Sequence, residues 1–416
     1  MERTDSIMYR LAFIQKLLEG KTLEPLIDFD SSEPGGGIKN DDMSKGSKGS
    51  NGSYSTRVVL KKKIHNFENI IGQLGEGEKI MYIKSGSTGH TFKGTSKGEN
   101  GKIFEYAVKV VAYPRKERYG PIINTKRPEN AELMMIKLLS YFSLKKQTPH
   151  IVLPIGTFDT DIETFVNLVE TDVIKKNNLK YKEFVKMYKK GGYHSNVSIL
   201  ISEWANRGDL LDFIRKGYKN FEPMHWKVFL FQIISTLAVI QSKYPTFRHN
   251  DMKANNILVH KIDNQAEKFS YKIVSAKYKV PNIGYQIKLW DFDFACIPGI
   301  IDNIKVESKW TVEINVTPEQ NKYYDLHYFF NTLIKKGFFS EILTEKCIPQ
   351  EVKDFINRIV PPKYQKPCGP APCSKKGCDH YVHERGRLLI NHEYTTPNNI
   401  LKYDTYFEEF RVENTP

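Results

Sequence analysis

The stretch FRHNDMKANNIL, Phe247–Leu258, holds the most informative spacing of polar side chains in the sequence. His249, Asp251, Lys253 and Asn256 follow the pattern H-x-D-x-K-x-x-N. In such a loop the carboxylate orients an acceptor hydroxyl and takes its proton, and the lysine reaches the transferred phosphoryl group. The amide oxygen of the asparagine is a suitable ligand for Mg²⁺. The pattern therefore predicts a phosphoryl-transfer loop with Asp251, Lys253 and Asn256 as catalytic residues.

Two segments upstream of this loop predict contacts to nucleotide phosphates. Gly86 and Gly89, in IKSGSTGHTFKG, allow backbone N–H groups to approach phosphate oxygens closely. Lys109 lies within the apolar run YAVKVV, and Glu132 lies on a predicted helix where it can pair with Lys109. The alternatives are a lysine on an edge strand facing water and a glutamate on the protein surface. A second glycine cluster, IGQLGEGE at 71–78, is interpreted as a turn.

Two further segments complete the set of nucleotide-binding candidates. In LISEWANRGDLLDFI an apolar strand ends near Glu203 and a helix begins near Asp209. This order favours a hinge at which the backbone of Glu203 and Ala205 pairs with adenine and Asp209 accepts a ribose hydroxyl. The alternative role for Asp209 is helix N-capping, and both roles are compatible. In IKLWDFDFA, Asp291 follows an apolar strand and is the second predicted ligand of Mg²⁺.

Length and charge restrict the classes of protein that fit. The chain has 416 residues, enough for two or three lobes, and a net charge of +14 from 62 basic and 48 acidic residues. This charge favours acidic partners such as nucleotide phosphates, although lysine-rich coding bias explains it equally well. No specific recognition of nucleic acid is expected. No apolar stretch reaches about 18 residues, so no transmembrane segment is predicted.

The distribution of apolar and turn-forming residues predicts four segments. Ile7, Leu11, Ile14 and Leu18 recur at helical spacing, which indicates a short amphipathic helix that packs on a core or a partner. A run rich in Gly, Ser and Lys follows, then mainly strands, then mainly helices. The fold class predicted is α+β with two lobes. The segments are an N-terminal helical segment at 1–30, a flexible linker at 31–56, a strand-rich lobe with a hinge at 57–205, and a helical lobe at 206–416.

Three of the five cysteines cluster near the C-terminus, which favours a reducing compartment over a disulfide framework. Cys368, Cys373 and Cys378, with His383 or His380, supply four ligands that suit a structural Zn²⁺. A disulfide or free thiols are the main alternative, and contact with nucleic acid is a third.

Taken together, these residues resemble the eukaryotic-type protein kinase family. Within it, LWDFDFACIPGII and NKYYDLHYFFNTL are similar to the serine/threonine kinases of poxviruses and other large cytoplasmic DNA viruses. The resemblance implies a bilobal kinase fold with ATP and Mg²⁺ in the cleft, and Ser/Thr of proteins as substrate. It also implies that Asp325 braces the catalytic-loop backbone. A role in virion assembly, and a location in the viral factory of the host cytoplasm and in the virion, follow from the same likeness.

The sequence departs from the family pattern at several positions. Lys84 replaces the first loop glycine, Asp293 replaces the glycine of D-F-G, and no clear A-P-E is present. Asn250 replaces the usual arginine, so no arginine is expected beside Asp251 to receive an activation-loop phosphate. The expected enzyme is therefore active without that phosphorylation. The alternatives are a pseudokinase scaffold and a small-molecule or lipid kinase in which Asp291 and Asp293 both bind metal.

Overall fold

The chain folds into two compact units. The sheet unit comprises Arg10–Tyr141 and Val152–Trp204, and the helical unit comprises Met1–Tyr9, Phe142–Ile151 and Ala205–Pro416. This mixture of a strand-rich and a helix-rich part confirms the predicted α+β class. The computed structural model describes residues 6–31, 58–86, 89–97, 101, 103–170, 174, 178–263, 266–366 and 381–412.

The strands of the sheet unit are β1 (Glu76–Ser85), β2 (His90–Lys97), β3 (Ile103–Pro114), β4 (Pro154–Asp161) and β5 (Tyr193–Glu203). They form one five-stranded antiparallel sheet of order β1-β2-β3-β5-β4. The helices are α1 (Ile7–Leu18), α2 (Phe67–Gln73), α3 (Pro128–Leu144), α4 (Glu163–Val166) and α5 (Leu179–Lys189).

Strand β3 lies at the centre of this sheet, between β2 and β5, and its residues from Tyr106 to Tyr113 are buried. Lys109 is therefore on an interior strand, which excludes the alternative of an edge lysine facing water. Helix α3 begins at Pro128, where a missing N–H costs nothing because the first helical N–H has no partner within the helix. The cluster 71–78, interpreted as a turn, is the end of α2 and the start of β1.

The N-terminal amphipathic helix packs on the sheet unit. Leu11, Ile14 and Leu18 of α1 are buried, as the helical spacing predicts. The segment after it continues along β4, where the N–H of Leu26 donates to the carbonyl of Ile155 at 3.2 Å. Most of the predicted linker, from residue 32 onward, lies outside the described residues. The start of the chain thus adds to the core of the sheet unit.

Gly94 of β2 lies directly beneath the ring of Tyr106, with which it pairs across to β3. A Cβ at position 94 would lie 2.1 Å from the Tyr106 ring, and Tyr106 is fully buried. We expect Gly94→Ala to lower the free energy of unfolding by about 1–3 kcal/mol, the usual cost of overpacking a core. Denaturant unfolding of the variant measures this loss. Lys97→Ala, at the exposed end of the same strand, is the control, and equal loss in both would contradict the packing argument.

The helical unit surrounds α7 (Pro223–Lys243), most of whose side chains are buried. By length and composition this helix could span a membrane, but 78% of its apolar window is buried inside the protein, as in a core helix. Glu222 and His225 form a capping box at its start. The helices are α6 (Leu210–Gly217), α7 (Pro223–Lys243), α8 (Lys309–Val312), α9 (Tyr324–Leu333), α10 (Gln350–Ile359) and α11 (Pro397–Tyr403).

Two small two-stranded sheets position the loops of the helical unit. Strands β6 (Ile257–Lys261) and β9 (Tyr285–Leu289) pair antiparallel, so that the end of the FRHNDMKANNIL stretch lies beside the start of WDFDF. Between them in sequence lies the hairpin of β7 (Lys268–Ile273) and β8 (Ala276–Pro281). The sequence analysis did not predict this hairpin.

Candidate active site

The backbone of the FRHNDMKANNIL loop is held by a carboxylate from α9. Asp325 accepts hydrogen bonds from the backbone N–H of His249 at 2.7 Å and of Asn250 at 2.8 Å, which confirms the expected brace. Asn250 adopts a left-handed conformation with φ of 62°, which asparagine tolerates better than most residues. Its side-chain amide donates to the carbonyls of Phe294 and Thr317, each at 3.2 Å. Asparagine at 250 thus suits both the backbone and the neighbouring segment.

The carboxylate of Asp251 is bound on both oxygens. Its Oδ2 accepts from Lys253 Nζ at 2.8 Å and from Asn256 Nδ2 at 3.0 Å. Its Oδ1 accepts from Nη2 of Arg387 at 2.6 Å. An arginine, Arg387, does lie beside Asp251, but it comes from far along the chain and its side chain is buried against the loop.

The charges around Asp251 determine its protonation. Burial raises the pKa of this carboxyl, as does the nearby Asp291, whereas Lys253 and Arg387 lower it. The cations outweigh burial, and the pKa of Asp251 lies below its ordinary value. Asp251 is therefore ionised at neutral pH, with its negative charge largely buried.

Asn256 and Asp291 lie at the same end of the β6–β9 ladder. Asn256 directly precedes β6, Asp291 follows β9, and the N–H of Trp290 donates to the Asn256 carbonyl at 3.3 Å. The amide nitrogen of Asn256 is bound to Asp251, which leaves its amide oxygen as the ligand atom. An amide oxygen beside a carboxylate fits a hard cation such as Mg²⁺ that takes further oxygens from phosphates and water.

The predicted zinc ligands Cys368, Cys373 and Cys378 lie outside the described residues. His383 is described, and its Nδ1 accepts from the N–H of Arg385 at 3.1 Å. In the described part of the chain no group of three or more His, Cys, Asp or Glu side chains is arranged to hold a metal ion. The zinc site stays a prediction from sequence.

Asp293, which replaces the glycine of D-F-G, forms a buried ion pair with Lys305. Lys305 also lies over the ring of Phe294, with its Nζ 3.9 Å from the centroid. The amide of Asn303 donates to the carbonyls of Asp293 and Ala295 at 2.9 and 3.2 Å. These contacts fix the segment after Asp291. The sequence analysis did not predict this partner for Asp293.

We expect Asp293→Gly, which introduces the glycine of the D-F-G pattern, to destabilise the protein. The change leaves Lys305 as a buried cation without its anion, and loss of one partner of such a pair costs about 3–5 kcal/mol. Adding Lys305→Met removes the orphaned charge and should recover much of that loss. Denaturant unfolding of the single and double variants measures both effects. A single variant as stable as the parent would contradict this role of the pair.

In the sheet unit, Lys109 and Glu132 form the predicted ion pair. Lys109 Nζ lies 2.6 Å from Glu132 Oε1, and the two side chains are only 8% and 6% exposed. Glu129, one turn earlier on α3, instead pairs with Arg127 at 3.0 Å. Because Glu132 is buried, the alternative of a surface glutamate is excluded.

The Gly86 and Gly89 pair forms the connection between β1 and β2. The N–H of Gly86 donates to the carbonyl of Gly89 at 2.8 Å, which closes the turn. A Cβ at position 89 would lie 2.7 Å from the carbonyl oxygen of Val110 on β3. Packing therefore demands glycine at 89 regardless of any ligand. The two residues between these glycines lie outside the described part of the chain.

The hinge candidates have structural partners of their own. Glu203 forms a bidentate ion pair with Arg10 of α1, with Arg10 Nε 2.8 Å from Glu203 Oε2, and also accepts from the N–H of Leu153 at 2.9 Å. The spacing of α1 gave no sign of the Arg10 contact. Asp209 caps α6 by accepting from the N–H of Asp212 at 3.0 Å, which confirms the capping role. Ala205 is buried at the start of the long segment of the helical unit.

The predicted site residues thus form two sets, each within one unit. Those of the sheet unit are Gly86, Gly89, Lys109, Glu132 and Glu203, and those of the helical unit are Ala205, Asp209, Asp251, Lys253, Asn256 and Asp291.

Known proteins are similar to this chain over much of its length. The family model described as poxvirus serine/threonine protein kinase matches residues 120–366. The R400 protein of Acanthamoeba polyphaga mimivirus, provisionally named a serine/threonine-protein kinase, is 44% identical over 97% of this chain and 80% of its own length. Serine/threonine-protein kinase 2 of fowlpox virus is 25% identical over 61% of this chain and 50% of its own length. The monkeypox virus protein of that name is 29% identical over 48% of this chain and 39% of its own.

The family match covers more than half of the chain, and it includes Asp251, Asn256, Asp291 and Asp325. The mimivirus relative extends the likeness over nearly the whole sequence. This chain therefore belongs to the poxvirus serine/threonine protein kinase family.

Proposed function

We propose that this protein transfers the γ-phosphoryl group of ATP to Ser or Thr of protein substrates in a Mg²⁺-dependent reaction. The observation that carries the proposal is the fixed Asp251 carboxylate. It is ionised, bound by Lys253 and Asn256, and supported by a loop whose backbone Asp325 holds. Phosphoryl transfer depends mainly on such positioning and on charge stabilisation.

In this reaction Asp251 orients the acceptor hydroxyl and receives its proton. Lys253 lies beside that carboxylate, 27% exposed, where its ammonium steadies the transferred phosphoryl group. Asn256 and Asp291 would hold Mg²⁺, which supplies positive charge to the phosphates when bound. None of these residues is altered from the type that the chemistry needs, which argues against a pseudokinase.

The nucleotide contacts are assigned to residues of both units. Lys109 is held by Glu132, so its ammonium is oriented before the phosphates of ATP arrive. We assign further phosphate contacts to the backbone of the connection that contains Gly86 and Gly89. We assign adenine recognition to the backbone of Glu203 and Ala205 and the ribose contact to Asp209.

The segment after Asp291 favours a protein kinase that needs no activating phosphate. Asp293 is paired with Lys305, and Asn250 joins the loop to the carbonyl of Thr317. Because Asp293 is committed to Lys305, a two-aspartate metal site of the small-molecule or lipid kinase kind gains no support. A role in virion assembly, within the viral factory of the host cytoplasm and in the virion, is proposed from the viral relatives.

The experiment compares the purified chain with Asp291→Asn in the presence of Mg²⁺ and [γ-³²P]ATP. Casein and histone serve as acceptors, and the protein is first treated with phosphatase. We expect labelled phosphoserine or phosphothreonine with the parent, and loss of labelling with the variant or with EDTA. Equal labelling by parent and variant would refute the assigned chemistry. If the dephosphorylated parent is inert and regains activity on phosphorylation, only the proposal that the kinase needs no activating phosphate is refuted.

A further inference from the structure

Arg387 is a buried cation for which the proposed reaction assigns no role. Its side chain is 8% exposed, and burial of a guanidinium is costly unless its donors are satisfied. Two of its three hydrogen-bond acceptors belong to the FRHNDMKANNIL loop, and the third belongs to α9. Nη2 donates to Asp251 Oδ1 at 2.6 Å, and Nη1 donates to the carbonyl of Asn250 and to Tyr324 Oη, the latter at 3.2 Å.

The backbone on both sides of Arg387 is anchored by buried asparagines. Asn331 of α9 donates its amide to the carbonyl of Gly386 at 2.8 Å, and Asn315 donates to the carbonyl of Leu388 at 3.0 Å. Gly386 has a φ of +84°, which forms the turn that presents the next residue. The backbone position of Arg387 is therefore fixed by contacts that do not involve the loop.

Helix α9 and Arg387 together hold the Asn250 peptide groups from both sides. Asp325 of α9 accepts the N–H of Asn250, while Arg387 donates to its carbonyl. The guanidinium lies 4.0 Å above the ring centroid of Tyr328 and also contacts Tyr324, one turn earlier on α9. Stacking and a forked donor set are properties of arginine that lysine lacks.

The consequence for Asp251 is that its carboxylate has donors on both oxygens. Lys253 and Asn256, on the loop itself, bind Oδ2, whereas Arg387 binds Oδ1 from outside the loop. Opposed donors fix the rotation of the carboxylate plane. A displacement of about 1 Å in a catalytic group costs as much as 10²-fold in rate.

We propose that Arg387 is a positioning residue for phosphoryl transfer, which holds the Asp251 carboxylate and the Asn250 carbonyl in the reactive geometry. This inference rests on the proposed kinase function. It concerns the arrangement of Asp251 and leaves the phosphate contacts of Lys109 unchanged.

Arg387→Met and Arg387→Lys test the proposal, with casein and Mg-ATP as substrates. We expect kcat to fall about 30- to 100-fold in both, with the KM for ATP changed less than about two-fold. Lysine should not rescue, because one ammonium cannot bind the carboxylate and the carbonyl and also stack on Tyr328. The control is Arg411→Met, a half-buried arginine that donates to the carbonyls of Leu401 and Asp404. A kcat for Arg387→Met within about three-fold of Arg411→Met would overturn the proposal, as would a rise in kcat.

Hydrogen exchange of the peptide that contains His249 and Asn250 gives a readout independent of activity. We expect these amides to exchange faster in Arg387→Met than in Arg411→Met, because the loop loses its carbonyl anchor. Unchanged exchange would overturn the proposal even if the parent transferred no phosphate. A parent that labels no acceptor, with exchange still faster in Arg387→Met, would remove the kinase function and leave Arg387 as a holder of the loop.

Discussion

Asp251→Asn is expected to lower kcat by about 10²- to 10⁴-fold, the usual contribution of a general base, with little change in ATP affinity. The amide cannot accept the proton of the acceptor hydroxyl. It also presents an N–H to one of the cations that Asp251 now binds, Lys253 or Arg387. Steady-state phosphorylation of casein measures kcat, and calorimetric titration with ATP measures affinity.

Asp212→Asn is the matched control for this change. Asp212 lies on α6, 55% exposed, and its 3.7 Å ion pair with Lys216 is of the kind that contributes little. The Asp212→Asn variant should therefore keep full activity. Asp251→Asn will also melt at a lower temperature, because Arg387 loses its anion, so both variants are assayed well below their melting points. A folded Asp251→Asn protein with the kcat of Asp212→Asn would refute the role of Asp251.

Lys109→Met is expected to lower kcat/KM for ATP by at least about 10²-fold, since it removes the oriented charge that we assign to the phosphates of ATP. Glu132→Gln should have a smaller effect in the same direction, because Lys109 stays but is no longer held. The two residues should not act additively. If Glu132 works only through Lys109, the double variant will be no worse than Lys109→Met alone.

Glu129→Gln is the matched control for Glu132→Gln. Glu129 lies on the same helix and is also buried, but its partner is Arg127. Its loss should lower stability without a selective effect on ATP kinetics. Strictly additive losses for Lys109 and Glu132 would show that the glutamate acts on the nucleotide by another route.

Much of this site can be predicted from the sequence because its residues follow patterns that involve only a few neighbouring positions. The loop spacing from His249 to Asn256 depends on a few consecutive residues, and the apolar runs beside it predict their own strands. Helix α3 begins at its proline, and Asp209 caps α6, because both effects act within one helical turn. The hairpin of β7 and β8 was missed although its residues alternate regularly between exposed and more buried positions, a period-2 pattern by which both strands could have been predicted.

The sequence alone determined the family, the α+β class and the identity of the residues proposed for chemistry. Only the tertiary structure revealed which distant charges those residues meet. Asp293 pairs with Lys305, Glu203 pairs with Arg10, and Asp251 pairs with Arg387, which no motif connects. The reason is physical: a buried charge needs a partner, but chain folding, not sequence spacing, decides where that partner comes from.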